Sequence, residues 1–97
     1  MIRGTTPTHT FYIPFSAELI KDVKIIYGQN DKPIFEKLKE DCTLNGNTIS
    51  VTLTAEETFQ FDCKKIGQAQ IHIEFLDGGK SKSEVILFAV GKCLKGV

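Results

Sequence analysis

Apolar and polar residues alternate through most of this 97-residue chain, and the alternation stops only at short turns rich in Gly, Asn and Asp. Side chains of a β-strand point to opposite faces with a period of two, so the pattern assigns one face of each strand to a core. In the clearest example, Ile49, Val51 and Leu53 share one face of residues 48–54, and Thr and Ser fill the other. We therefore predict an all-β protein with one domain, residues 1–97, because a chain of this length supports a single core.

Turn residues divide the chain into about seven predicted strands. These strands span residues 8–13, 22–28, 32–38, 43–44, 48–54, 67–75 and 82–92. Pro33 places the third strand near a sheet edge, because proline cannot donate to a ladder. The Asn45-Gly46 pair predicts a hairpin with a type I′ turn, in which both central residues have positive φ. Asp77-Gly78-Gly79 predicts another hairpin.

The period changes after the fifth predicted strand and indicates one short helix over residues 55–59. Thr54 and Glu57 have the spacing of a capping box, in which each side chain accepts a hydrogen bond from the other residue's backbone amide. Because so short a helix is unstable alone, Phe59 or Phe61 is expected to pin it to the core. This layout is typical of an immunoglobulin-like antiparallel β-sandwich with the helix between strands five and six. A small open barrel is the alternative.

Composition and motif spacing favour a protein without catalytic or cofactor chemistry. Twelve Lys and Arg residues balance twelve Asp and Glu residues, so the electric field that attracts nucleic acid or an anionic membrane is missing. His9 and His72 do not belong to a nucleophile or phosphate-loop motif. Cys42, Cys63 and Cys93 lack paired metal-ligand spacing, so reduced thiols are expected and a zinc site is the alternative. We expect no enzyme activity, cofactor, metal, nucleic acid or membrane partner.

Five apolar residues fall opposite the main core positions of their predicted strands and form a candidate interaction face. They are Tyr12, Ile26, Phe35, Ile86 and Phe88. One interpretation is that loops, the helix or a one-residue slip of register covers them within the monomer. The other is an apolar patch that packs against a partner, where a last strand at an edge could extend the sheet into a neighbour. The continuous apolar run of residues 85–90 predicts that both faces of the last strand are covered.

Several segments, most of them in the first third of the chain, carry a family resemblance. They are Met1-Ile2-Arg3-Gly4-Thr5-Thr6-Pro7-Thr8, Phe11-x-Ile13-Pro14-Phe15, Leu19-Ile20-Lys21-Asp22-Val23, Tyr27-x-Gln29-Asn30, Thr54-Ala55-Glu56-Glu57-Thr58 and Cys93-Leu94. Together they resemble a family of short uncharacterised proteins encoded by phages and prophages of low-GC Gram-positive bacteria. The first third is also similar to the N-terminal β-sandwich domain of phage upper baseplate proteins.

The resemblance implies a non-enzymatic structural or assembly module of a phage or prophage, associated with a tail, baseplate or head. Such a module would contact other phage structural proteins or form a homo-oligomer. The chain does not open with the basic and apolar regions of a signal peptide, so we expect it in the host cytoplasm during assembly, and it could enter the virion. The alternative is a carbohydrate-binding or host-protein-binding sandwich, which the absence of Trp disfavours.

Overall fold

Residues 1–91, which the computed structural model describes, contain two antiparallel sheets, one short α-helix and two 3-10 turns at Ala17–Leu19 and Lys39–Asp41. The elements are β1 (Thr8–Tyr12), β2 (Ile20–Gln29), β3 (Lys32–Leu38), β4 (Cys42–Asn45), β5 (Thr48–Thr52), α1 (Ala55–Phe59), β6 (Gly67–Phe75), β7 (Lys80–Lys82) and β8 (Ile86–Phe88). The first sheet has the strand order β1-β5-β4, and the second has β3-β2-β6-β7, with β8 also paired to β6. The all-β prediction is confirmed, with eight strands instead of about seven.

One apolar core lies between the two sheets, and the alternation of β2, β5 and β6 builds it. In the second sheet, Ile25 of β2 pairs with Ile71 of β6, and both side chains are buried. Ile49 and Val51 of β5 are buried from the first sheet, as predicted. Each such side chain contributes about 1.5–3 kcal/mol relative to an exposed position.

The turn of one predicted hairpin differs in one detail from the prediction. The hairpin between β4 and β5 is confirmed, but Asn45 pairs with Thr48, so Gly46 and Asn47 form the loop. Only Gly46 has a positive φ, 58°, as in a type II′ turn, and the type I′ prediction for this hairpin was wrong. Two successive residues with positive φ, as a type I′ turn requires, occur at Asn30 and Asp31, which join β2 to β3.

The predicted helix and its capping box are confirmed. The amide of Glu57 donates to Thr54 Oγ1 over 3.1 Å, and the amide of Thr54 donates to Glu57 Oε1 over 2.8 Å. Phe61 pins the helix, since it is almost fully buried against Tyr27 and Phe35. Phe59 is only half-buried and lies beneath the Arg3 guanidinium, so Phe61 carries the predicted role.

A bulge in β3 turns two side chains toward the core. Tyr27 pairs with Phe35 and Gly28 pairs with Pro33, so Ile34 is an extra residue on β3. Without this extra residue, Phe35 would lie opposite Ile26 on the outer face. The shift instead brings Phe35 into a stacked contact with Tyr27 and buries Lys37 on the same face.

The single last strand predicted over residues 82–92 is interrupted by a second bulge. Strands β7 and β8 pair with successive parts of β6, but Lys82 lies opposite His72 whereas Ile86 lies opposite Ala69. Residues 83–85 therefore lie opposite only two residues of β6, Gln70 and Ile71, so the last strand carries one extra residue. Within this bulge, the Ser83 amide donates to Ile71 O. Leu87 is 65% exposed, so the prediction that both faces of this strand are covered is wrong for the described residues. Lys92 of the predicted strand lies outside them.

Lys37 is buried because Glu57 neutralises it. Its Nζ lies 2.7 Å from Glu57 Oε1, the same oxygen that accepts the Thr54 amide. Burial alone would raise the pKa of Glu57, but the hydrogen bonds from Lys37 and Thr54 outweigh it and hold that pKa below its usual value. The pair links β3 of the second sheet to the helix.

We predict that Glu57→Gln lowers the free energy of unfolding by about 2 kcal/mol, because it leaves the Lys37 ammonium buried without a counter-charge. Glutamine still accepts from the Thr54 amide, so the cap is kept. Urea unfolding near neutral pH, followed by circular dichroism, measures the difference. Glu56→Gln, on the exposed neighbour, is the matched control.

Because the pKa of Glu57 is lowered in the fold, its contribution is present above the unfolded value and is lost as the pH falls through the folded one. The difference between the wild type and Glu57→Gln should therefore shrink in acid. Equal stabilities of Glu56→Gln and Glu57→Gln near neutral pH would show that the ion pair contributes nothing.

Candidate functional site

One side of the sandwich is open, because β1 at the edge of the first sheet and β7–β8 at the edge of the second lie next to each other without pairing. We call this groove the open side. A cavity of about 350 Å³ occupies it where β1 passes β8. It is lined by Thr8, His9, Thr10, Phe11, Ala69, Ile86 and Phe88. A further cavity of about 210 Å³ adjoins the end of β1 and is lined in part by Tyr12, Phe15, Ser81 and Ser83.

The open side exposes the backbone of β1. Leu53 donates to Pro7 O over 2.9 Å and Ile13 donates to Asn47 O over 2.8 Å, so the odd-numbered residues of this strand bond to β5. In an antiparallel ladder the alternate residues point their N–H and C=O groups the other way. These residues are Thr8, Thr10 and Tyr12, and no backbone partner for them occurs within residues 1–91.

The edge of β8 is open in the same way. Ser83 donates to Ile71 O and Phe75 donates to Gly79 O, so the odd-numbered residues of β6 bond toward β7 and β8. Leu87 lies opposite the even-numbered Gln68 and therefore points its backbone groups away from β6. In the described part of the chain, both strands that border the open side thus carry backbone groups without a backbone hydrogen-bond partner.

The five predicted face residues do not share one face. Ile86 and Phe88 line the open side, and Tyr12 lies where the groove continues along β1. Phe35 packs inside against Tyr27 and Phe61, because the β3 bulge turns it inward. Ile26 lies on the outer face of the second sheet, opposite Gln70 and Glu36. The five residues are therefore divided among the open side, the core and the outer face of the second sheet.

Phe88 belongs to an aromatic cluster at the floor of the open side. Its ring centroid is 5.6 Å from that of Phe61, 5.7 Å from that of His9 and 6.1 Å from that of Tyr27. Gly67 leaves room for it, since a Cβ there would overlap the Phe88 ring. Phe88 therefore packs against the core and also lines the groove.

A buried hydrogen bond between the two sheets lies in this cluster, and the strand patterns had not indicated it. His9 Nδ1 is 2.7 Å from the hydroxyl oxygen of Tyr27, which is fully buried. Burial raises the pKa of Tyr27, so its hydroxyl stays protonated and can donate to a neutral imidazole. Burial also lowers the pKa of His9 and keeps that imidazole neutral. The sequence held one indication of this contact: in the alternation of β1, His9 lies on the same inward face as Phe11.

The other candidate chemical groups are dispersed. His72 lies on the outer face of the second sheet, 3.1 Å from Gln70 Oε1. Cys42 and Cys63 are free thiols, and Cys93 lies outside the described residues. Within residues 1–91, three or more His, Cys, Asp or Glu side chains do not come together as a metal site. A helix long and apolar enough to cross a membrane is likewise not found in that part of the chain.

His9 makes the fold sensitive to acid. The folded state binds a proton on His9 more weakly than the unfolded chain does, so the free energy of unfolding should fall as the pH drops from about 7 to about 5. We predict a smaller fall for His9→Gln, which removes the titrating group and keeps a partner for the Tyr27 hydroxyl. Urea unfolding at both pH values tests this. His72→Gln on the outer face is the comparison variant, and it should also reduce the fall, because burial and the nearby Lys82 and Lys24 lower the pKa of His72. An unchanged fall in His9→Gln would contradict it.

Comparison with known proteins assigns this chain no relative. No protein-family model, curated protein or solved structure matches it. The resemblance to phage proteins therefore stays a prediction from the sequence segments. Among the described residues, the open side combines strand edges that lack a backbone partner with a partly apolar lining.

Proposed function

We propose that this chain is a non-enzymatic protein-interaction module of a phage or prophage assembly, and that it docks through the open side. The observation that carries the proposal is the edge of β1, which has no Asp, Glu, Lys or Arg and lies beside exposed apolar side chains. Tyr12 is 79% exposed on β1, and Leu87 is 65% exposed on β8. Exposed apolar groups next to free backbone donors and acceptors fit a partner that adds an extended segment to a sheet.

A protein partner fits this edge better than a carbohydrate does. A partner strand satisfies the backbone groups of Thr8, Thr10 and Tyr12 at the regular spacing of a ladder. Carbohydrate binding usually relies on several exposed aromatic rings, and among the described residues Tyr12 is the one large aromatic side chain that is exposed. The carbohydrate-binding alternative therefore has less support.

The strand order supports the finer proposal of an immunoglobulin-like sandwich. The orders β1-β5-β4 and β3-β2-β6-β7 match strands B-E-D and C′-C-F-G of such domains. In that scheme strand A pairs with strand B, but no such strand pairs with β1 among residues 1–91. Ile2 instead forms a parallel bridge with Gly91. Within residues 1–91, the free edge of β1 is thus the position that strand A would occupy.

Two of the six segments behind the phage resemblance lie near the same edge. Residues 1–8 lead into β1, and residues 11–15 include its end and part of the lining of the second cavity. An assembly component needs a docking surface and no catalytic residues, which agrees with the dispersed chemical groups. These positions support a phage structural role over an isolated binding domain.

We predict that Tyr12→Asp removes the chain from phage particles and assembly intermediates. The charge would lie at the docking edge, where an aromatic anchor worth about 1.4 kcal/mol or more changes the dissociation constant about tenfold. Immunoblots of gradient fractions from an induced host that carries the encoding phage measure the association. Thr43→Asp, on exposed β4 at the far edge of the same sheet, is the control.

Circular dichroism should show the same fold for both variants, because both side chains are exposed. The expected result is association of the wild type and Thr43→Asp, and its loss in Tyr12→Asp. Absence of the wild-type chain from particles and intermediates alike would overturn the proposed function.

A further inference from the structure

Free strand edges usually carry features that prevent pairing with another chain, such as charge, proline, a bulge or short length. The edge strand β3 has Lys32, Pro33 and the bulge at Ile34. The β7–β8 edge has Lys80, Lys82 and its own bulge. The remaining far edge, β4, is only four residues long. Among the described strands, β1 is a free edge without charge, proline or a bulge, and its five residues make it one residue longer than β4.

We propose that two copies of this chain pair through β1 in an antiparallel, two-fold arrangement with Thr10 opposite Thr10 of the second copy. The inference names the partner at the open side, and it rests on the proposed function only in treating that side as an interface. The paired strands would join two three-stranded sheets into one continuous sheet of six strands.

The positions of the free backbone groups support this register. Thr8, Thr10 and Tyr12 are spaced evenly about Thr10, and each presents one N–H and one C=O group away from β5. Rotation about a two-fold axis at Thr10 places Thr8 of one copy opposite Tyr12 of the other. Every free donor then meets a free acceptor, and up to six hydrogen bonds form between the copies.

The side chains of β1 are compatible with self-pairing. The outer face would place the exposed Tyr12 ring against Thr8 of the second copy, a pairing without charge. The inner face would place Phe11 against His9 of the second copy, whose imidazole burial keeps neutral. The whole chain has no formal net charge, so long-range repulsion does not oppose association of two copies.

Cysteine cross-linking tests the register directly. With Cys42, Cys63 and Cys93 replaced by Ser, Thr10→Cys would place two cysteines about 5.5 Å apart between Cα atoms, within disulfide range. Thr8→Cys is the matched control on the same face. In this register the two Thr8 positions are four residues apart along the strands, so their Cα atoms are separated by about 13 Å. We expect a covalent dimer from Thr10→Cys and none from Thr8→Cys under mild oxidation. Equal yields, or a dimer from Thr8→Cys alone, would overturn the register.

A charge exchange across the axis tests the pairing without a covalent bond. The wild type should be a dimer by light scattering at micromolar concentration, whereas Thr10→Lys and Thr10→Glu should each be monomeric, because like charges would face each other at the axis. Mixing these two variants should restore a dimer. A wild type that is monomeric up to about millimolar concentration would overturn the self-pairing, and if it still enters phage particles, the open side docks a different protein.

Discussion

Tyr27 occupies the middle of β2 with its side chain fully buried, so its hydroxyl needs a hydrogen-bond partner inside the protein. His9 supplies that partner from the opposite sheet, and this bond fixes how β1 lies over β2. Phe35, Phe61 and Phe88 pack around the same ring. The position of β1, and with it the geometry of the open side, depends on this one polar contact within an aromatic core.

A second buried polar link acts at a different point of the sandwich. The Lys37 ammonium reaches the Glu57 carboxylate, which also caps the helix between the sheets. Apolar packing would tolerate sliding of one sheet over the other, whereas two directional contacts do not. These two contacts therefore fix the relative position of the packed elements, in addition to the apolar packing of the core.

The sequence was informative where each strand kept its period and its neighbours were close along the chain. The inward residues of β5 and β6, the helix at residues 55–59 and the hairpin after β4 were all predictable from alternation, capping and turn chemistry. Phe35, Ile86 and Phe88 were assigned to the outer face for one shared reason. Each follows a one-residue bulge, which reverses the faces of every later side chain and has no reliable sequence signal. Lys37 was missed because its partner, Glu57, lies twenty positions away.

The shortness of β4 has a consequence for growth of the sheet. A sheet that gains a strand at β1 still ends at β4, whose four residues turn back at Gly46. Such a short border offers too few backbone groups to recruit a further chain, in contrast to the long edges that template fibrils. Addition at β1 would therefore terminate after one step, and the product would be a discrete particle of fixed size that cannot polymerise through this sheet.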